Sequence, residues 1–405
     1  MDYIVSNLSK LIKNSPIDID AVNEFLKRGN KHFGLIIKEN GDIVKVETDE
    51  SEKSLFGKIK NGYIFIKNLI LKLLGLIEVQ EKANIHGLIN IRNNCYLNAG
   101  LQILARCYPL VMELLDCNCE KNDLLKSFLN TMLLILFTKN KLYNPTEFME
   151  FFCKTNKEFV IGQQNCSQNF IRTILKNVNN MNEKVCGNKY YFPTGLEKEQ
   201  YERYIKENNI LPESKAYSFF SGIQKIKLEG ECPNCKNKIL NYSFNSFVDQ
   251  TIYLDAFYNR CYFSDVLKKN IGQKNKSLMK CPECQKKFYL NTVSSFVKIP
   301  EIFIFTLERY LIRNKVPVEP DDNINIYKYV DKNLYCTLED CNYELFAINI
   351  RIGEDLSSGH EICQVKEKEK WYTINDNSIY IKKKDFNEYS YGLFYRKVAN
   401  KKINN

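Results

Sequence analysis

Two tetrapeptides, CPNC at 232–235 and CPEC at 281–284, stand 45 residues apart and constrain this chain more than anything else in it. Each C-P-x-C turn aims two sulfurs the same way. Four thiolates from two such turns match a closed tetrahedral site for one structural Zn²⁺, with Cys232, Cys235, Cys281 and Cys284 as ligands. The middle of the chain therefore reads as a strand-rich unit paired by its cysteines. A lone C-x-x-C would suggest redox chemistry, and the second matching pair argues against it. Zinc ribbons also occur in nucleic-acid binders, so the knuckles by themselves name no function.

The other cysteines among the 15 are scattered and read as packing. The start, MDYIVSNLSKLIKNSPIDID, lacks the apolar core of a secretory signal. That points to a reducing compartment, cytoplasm or nucleus, rather than to a disulfide scaffold. With 44% hydrophobic and 26% charged residues over 405 positions, collagen-like, disordered and multi-span membrane readings are excluded. The net charge of +10 permits nucleic-acid binding without arguing for it. Three histidines, His32, His86 and His360, must carry any imidazole chemistry.

Residues 1–83 read as an accessory segment, 84–398 as one long mixed domain and 399–405 as a polar tail. Within the first lies YIFIKNLILKLLGLI (63–77), whose 15 residues with two lysines fall short of a bilayer span. It is expected to pack as a helix on the following domain, with contact to a membrane surface as the alternative. Helical periodicity runs to about residue 180, and alternating strands dominate from 297 to 397.

The segment GLINIRNNCYLNAGLQILARC (87–107) passes from polar loop to helical period at Cys95, with Leu97, Leu101 and Leu104 on one face. Asn93 and Asn94 are candidate N-caps. Cys95 then sits at a helix N-terminus, where unpaired N–H groups favour thiolate over thiol. The neighbouring amides can donate to a developing oxyanion. A buried structural cysteine is the competing reading. Toward the other end, 343–351, 360–366 and 371–375 read as strands, the last two joined by the charged residues 367–370. If Lys366 pairs with Trp371, Asn375 faces Ile362, and His360 and Asn375 become diagonal neighbours on one face. Asp376 then points to the opposite face, unless the register slips by one and the two exchange roles. Asn375 can hold the imidazole in the orientation a thiol needs. His86, close before Cys95, remains a competitor for the base.

Together these pieces resemble the ubiquitin-specific protease family of deubiquitinating cysteine peptidases. The family's Cys box, G-L-x-N-x-G-N-T-C-Y-x-N-S-x-L-Q, is matched by GLINIRNNCYLNAGLQ (87–102). Its His box, G-H-Y and then W-Y-x-F-[DN]-D-S, is matched by Gly359, His360 and Glu361 and by WYTINDN (371–377). GQQNCSQNFI (162–171) is similar to Q-Q-D-S-Q-E-F-L. PEIFIFTLERY (300–310) and YGLFYRK (391–397) echo two later strands. The resemblance implies an α+β, papain-like hand: a helical thumb with Cys95, a β palm with His360 and Asn375, and zinc-ribbon fingers inserted at about 217–300. It makes Cys95 the nucleophile, His360 the base, Asn375 with Asp376 the orienting position and Asn90 the oxyanion donor. It implies substrate contacts at Gln164, Gln102 and Gly359, and ubiquitin or ubiquitinated proteins as partners.

The chain departs from the pattern at several positions. Arg92 stands for a Gly and Asn94 for a Thr before the nucleophile. Cys166 and Asn169 replace an Asp and a Glu, and that Asp holds the ubiquitin tail, so tail binding is weakened or reorganised. Glu361 replaces the aromatic after the histidine, and Arg351 replaces a preceding His. The expected activity is hydrolysis after the C-terminal glycine of ubiquitin. The alternatives are an inactive ubiquitin-binding scaffold and a zinc-ribbon nucleic-acid binder.

Overall fold

The structure is a computed structural model. It describes residues 2–28, 35–38, 41–45, 85–117, 122–180, 194–208, 213–253, 267, 274–308, 311–313, 316–318, 333–336, 341–353, 359–367, 370–381 and 390–398. The stretch 63–77 and His32 lie outside them. No helix among the described residues is long and apolar enough to cross a membrane.

The helices are α1 (Asp2–Asn14), α2 (Ile19–Arg28), α3 (Cys95–Ala105), α4 (Tyr108–Asp116), α5 (Asp123–Phe137), α6 (Thr146–Thr155), α7 (Ser167–Asn179), α8 (Gly195–Glu207) and the short α9 (Lys215–Ser218). Local chemistry sets their limits. Asn122 caps α5 by accepting from Leu125 N at 3.1 Å, and the apolar run behind it is buried almost throughout. In α7 the buried Phe170, Ile171, Ile174, Leu175 and Val178 recur at the spacing of one helical face. Every residue of α3 is buried. It packs between α7 and a β-sheet, so closely that a Cβ on Gly100 would come within 2.5 Å of the Phe170 ring.

The strands are β1 (Leu35–Ile37), β2 (Ile43–Lys45), β3 (Gly87–Leu88), β4 (Leu142–Tyr143), β5 (Gly222–Glu231), β6 (Lys238–Phe247), β7 (Asp249–Tyr253), β8 (Lys274–Lys280), β9 (Lys287–Lys298), β10 (Ile302–Glu308), β11 (Leu311–Arg313), β12 (Val316–Val318), β13 (Asn333–Cys336), β14 (Cys341–Ile352), β15 (His360–Glu367), β16 (Lys370–Asn375), β17 (Ser378–Ile381) and β18 (Ser390–Val398). The largest sheet runs β17-β16-β15-β14-β18-β10-β7, with β13 also on β14. Successive side chains leave on opposite faces, and the central strands β14, β15 and β18 bury residues on both. Ala347 and Phe394 face the helical core, while Ile348, Leu393 and Tyr395 join a second apolar cluster. A separate sheet, β6-β5-β9-β8, is narrower and largely exposed, with a small core of Cys232, Cys281, Phe288 and Leu290.

The chain is thus the mixed α+β architecture expected, with helices first, an inserted cysteine-bearing sheet and a final strand-rich part. The β15–β16 hairpin is tighter than expected. Both strands run on until Glu367 pairs with Lys370, residues assigned from sequence to the connection. The first helices are also more integral than an accessory label suggests. Ile4, Leu8, Leu11, Val22, Phe25 and Leu26 belong to the same apolar cluster as α3, α4 and α5.

Candidate active site

Cys95 is the first residue of α3 and is 4% exposed. The loop before it makes a turn with two consecutive residues in left-handed backbone, Arg92 at φ 58° and Asn93 at φ 64°. Where the family pattern has Gly, this chain thus keeps positive φ with an arginine, a conformation that costs about 1–2 kcal/mol without glycine. Asn94 occupies the N-cap position but, with ψ 20°, does not reach the helix N–H groups with its side chain. Its Oδ1 instead accepts from Ile91 N at 2.6 Å, and its Nδ2 donates to Asn98 Oδ1 at 3.3 Å. Asn93 likewise turns outward and donates to Gly162 O at 3.0 Å. Asn94 is thus the N-cap residue, though without a side-chain capping bond, Asn93 is not, and both brace the loop.

His360 opens β15, and its Nε2 lies 2.7 Å from Asn375 Oδ1. The expected register holds: Lys366 pairs with Trp371 and Cys363 with Ile374, which brings Asn375 diagonally to His360. The Cys95 side chain is the largest cause that raises the imidazole pKa from 6.5 to about 9. Burial works against the rise, while the Asn375 hydrogen bond and the charges of Cys95 and Asp376 add to it. The structure therefore brings Cys95, His360 and Asn375 together at one place, with the asparagine hydrogen-bonded to the imidazole.

Asp376 does not turn to the opposite face. Strand alternation holds only while the backbone stays extended, and Asp376 lies just beyond β16 at φ 49°. Its carboxylate accepts from Asn90 Nδ2 at 2.7 Å and from Asn98 Nδ2 at 2.8 Å, and stands 3.9 Å from His360 Nε2. Its carbonyl accepts from Leu88 N at 2.8 Å. The turn lies so close to β3 that a Cβ on Gly87 would come within 2.6 Å of Asn377 O. Asn90, exposed in the loop five residues before Cys95, is thus fixed by Asp376 at one end, and its Oδ1 accepts from Asn94 N at 3.3 Å.

Two expected substrate contacts meet each other: Gly359 N donates to Gln164 Oε1 at 2.9 Å, next to His360. Gln102 is not brought to the cleft. It is 1% exposed, donates to His86 O at 2.7 Å and accepts from Arg106 Nη1 at 2.5 Å. His86 sits with it, about 10 Å along the helix from Cys95 at 1.5 Å per residue. Burial and the charge of Arg106 lower its pKa. It is not a partner of the thiol. Asn98, Ser167 and Asn349 carry site contacts that sequence reasoning passed over. The one signal available was a polar residue inside an apolar period, which must find a hydrogen bond when buried.

Away from this cleft, the sulfurs of Cys232, Cys235, Cys281 and Cys284 all lie within 4.8 Å of one another. Cys232 Sγ and Cys284 Sγ are 3.6 Å apart, and Cys235 Sγ and Cys281 Sγ 3.5 Å. Four thiolates around one Zn²⁺ at 2.3 Å would be separated by about 3.8 Å, so the cluster fits a tetrahedral ion. The two knuckles are built alike. Lys236 N donates to Cys232 O and Gln285 N to Cys281 O, both at 2.9 Å, and Lys236 and Gln285 both take positive φ. The group can hold a metal ion.

The sequence model of the family described as ubiquitin carboxyl-terminal hydrolase matches residues 86–395. Among curated proteins the chain is similar to ubiquitin carboxyl-terminal hydrolase 23 of Arabidopsis thaliana, at 21% identity over 76% of this chain and 35% of that protein. It is similar to ubiquitin carboxyl-terminal hydrolase 42 of Homo sapiens at 21% identity, over 76% of this chain and 22% of that one. Probable ubiquitin carboxyl-terminal hydrolase 4 of Schizosaccharomyces pombe is 22% identical over 77% of this chain and 58% of its own length. The match thus spans about a third, a fifth and somewhat over half of these relatives.

Proposed function

The chain belongs to the ubiquitin carboxyl-terminal hydrolase family, and from that premise we propose that it is a thiol deubiquitinase cutting after the C-terminal glycine of ubiquitin. The observation that carries the reading is the meeting of Cys95, His360 and Asn375, with the asparagine 2.7 Å from the imidazole and Cys95 the largest cause of its raised pKa. An imidazole so fixed takes the thiol proton, and the sulfur attacks the glycine carbonyl carbon. The oxyanion forms beside Asn90 and the N–H groups at the start of α3. One Asn90 N–H is engaged by Asp376 and the other serves the oxyanion, so Asp376 acts here as the anchor of the oxyanion donor and as a second negative neighbour of His360. The tetrahedral intermediate collapses as His360 gives its proton to the leaving lysine nitrogen and the C–N bond breaks. Water, losing a proton to His360, then cleaves the thioester and restores the thiol.

The metal is proposed to be Zn²⁺, held by the four cysteines of the β5–β9 sheet as a structural ion with no part in these steps. Gln164 and Gly359, beside His360, are proposed to line the path of the ubiquitin tail. The reducing cytoplasm or nucleus is the proposed setting, because a thiol nucleophile and a four-cysteine metal cluster both need reduced sulfur.

A fluorogenic amide of the ubiquitin C-terminus tests the reading. The wild type is expected to release the fluorophore and Cys95→Ala to lose at least about 10⁴-fold in rate, the range for removing a nucleophile. A second reading rests on Cys166, which caps α7 where the family pattern places a carboxylate. It makes the protein a binder, and a ubiquitin vinyl-type probe that is retained without forming an adduct on Cys95 would select it over the enzyme.

A further inference from the structure

Cys95 and His360 sit on separate elements, and their immediate neighbours are joined by one side chain. Ser167, the first residue of α7, places its Oγ 2.8 Å from the carbonyl oxygen of Tyr96 and in a hydrogen bond with Glu361 Oε2. Its backbone N–H donates to the same carboxyl oxygen at 3.0 Å. Tyr96 follows the thiol and Glu361 follows the imidazole. From β14, Asn349 Nδ2 donates to Glu361 Oε2 at 2.9 Å and Arg351 Nη1 to Oε1 at 3.3 Å. Arg351 is the direct cross-strand partner of Glu361. Ser167 and Asn349 are fully buried, and Glu361 is 2% exposed.

We propose that Ser167 and Glu361 are positioning residues that set the approach of His360 to Cys95, by locking the first turn of α3, the start of α7 and the start of β15 into one buried network. The proposal rests on the thiol-hydrolase reading for the reaction it governs. Successive side chains of a strand leave on opposite faces. Glu361 therefore grips β15 from behind while His360 faces the thiol, and it fixes the strand without touching the ring. A buried carboxyl keeps its partners, because leaving it unpaired costs more than the hydrogen bonds return. Ser167 has one hydroxyl hydrogen for two acceptors. Burial pushes the pKa of the Glu361 carboxyl upward, and the hydrogen bonds from Ser167 and Asn349 and the charge of Arg351 oppose that rise.

The test uses Ser167→Ala, Glu361→Ala and Glu361→Gln in the full chain, read in two ways. On the fluorogenic ubiquitin amide, Ser167→Ala and Glu361→Ala are expected to lower kcat by about 10–100-fold with KM changed less than about twofold, the pattern of lost alignment. In the second readout, the pH profile of Cys95 alkylation by iodoacetamide should differ from the wild type's, because the imidazole no longer meets the thiol in the same alignment. Glu361→Gln keeps an acceptor oxygen for Ser167 and Asn349 and should recover most of both. Ser167→Ala leaves the backbone donor in place and carries the test if Glu361→Ala fails to fold. A kcat and an alkylation profile in Ser167→Ala and Glu361→Ala that match the wild type, whatever happens to the melting temperature, would overturn the proposal. A wild type that alkylates as a paired thiol but leaves ubiquitin uncut would sink the substrate reading instead, with the alkylation arm still deciding this one.

Discussion

His360 Nε2 and Asn375 Oδ1 stand 2.7 Å apart, and Asp376 Oδ2 lies 3.9 Å from the same nitrogen. The contact with Cys95 is the largest cause of a pKa raised from 6.5 to about 9. The sign of the linkage follows. A folded-state value above the unfolded one gives stability that is present in full below about 6.5 and is lost as pH rises through about 9. Cys95→Ala removes the largest cause, so its imidazole should titrate well below the wild type's value of about 9. Histidine-labelled NMR can follow this directly, with only three histidines to assign. The stability difference between wild type and Cys95→Ala should shrink over the same alkaline window. An imidazole midpoint unmoved in Cys95→Ala would mean that the thiol is not its partner. Residue-scale chemistry was legible where one local rule governed it, as for Cys95 at the start of its helix. It was not legible at Asp376, because a single left-handed residue cancels the alternation that a strand would impose.

The hairpin β15–β16 shows why registers can be read from sequence and side-chain partners often cannot. A short charged connection between two apolar strands leaves few registers, and burial of one face rejects a slip by one. That reasoning places Asn375 by His360 without coordinates. No such rule reaches from α7 to β15. Ser167 and Glu361 are 194 positions apart and belong to elements of different period, so their contact has no signature along the chain. Arg351 and Glu361 were both visible as departures from the family pattern, and only the pairing of β14 with β15 shows them to be partners. The cysteine knuckles are the opposite case, since two repeated turns announce their shared ligand. The knuckle end of the β6-β5-β9-β8 sheet has little apolar core beyond Cys232, Cys281, Phe288 and Leu290, so a metal bound there contributes directly to folding. Cys281→Ser should lose the ion and destabilise the fold on the order of 4 kcal/mol, the range in which loss of a structural metal belongs. Metal analysis together with denaturant unfolding checks this, and unchanged zinc content would remove Cys281 from the ligand set.

At the scale of the whole molecule, sequence order and spatial order part at the N-terminus. A polar, lysine-rich start made residues 1–83 look separable from the domain that follows. Yet Lys139 N donates to Pro16 O at 2.8 Å and Asp18 N to Phe137 O at 2.7 Å, so the link between α1 and α2 is stitched to the end of α5. Phe25 of α2 packs edge-on against Tyr108 at 5.7 Å and Phe137 at 5.3 Å, from α4 and α5. Amphipathic helices carry no label naming the surface they cover, so this docking had to come from the fold. We propose on these contacts that the unit of folding begins well before residue 84. A ring that is only 6% exposed between two others leaves a cavity when truncated. Phe25→Ala should therefore cost about 3–5 kcal/mol, as buried aromatic deletions do. Its place is remote from Cys95, His360 and Asn375, so the folded fraction should keep its alkylation profile at Cys95. Denaturant unfolding and alkylation on one preparation separate the two effects. A stability close to the wild type's would mean that the first helices ride on a domain complete without them, whereas the expected loss makes them part of the wall that holds α3 in place.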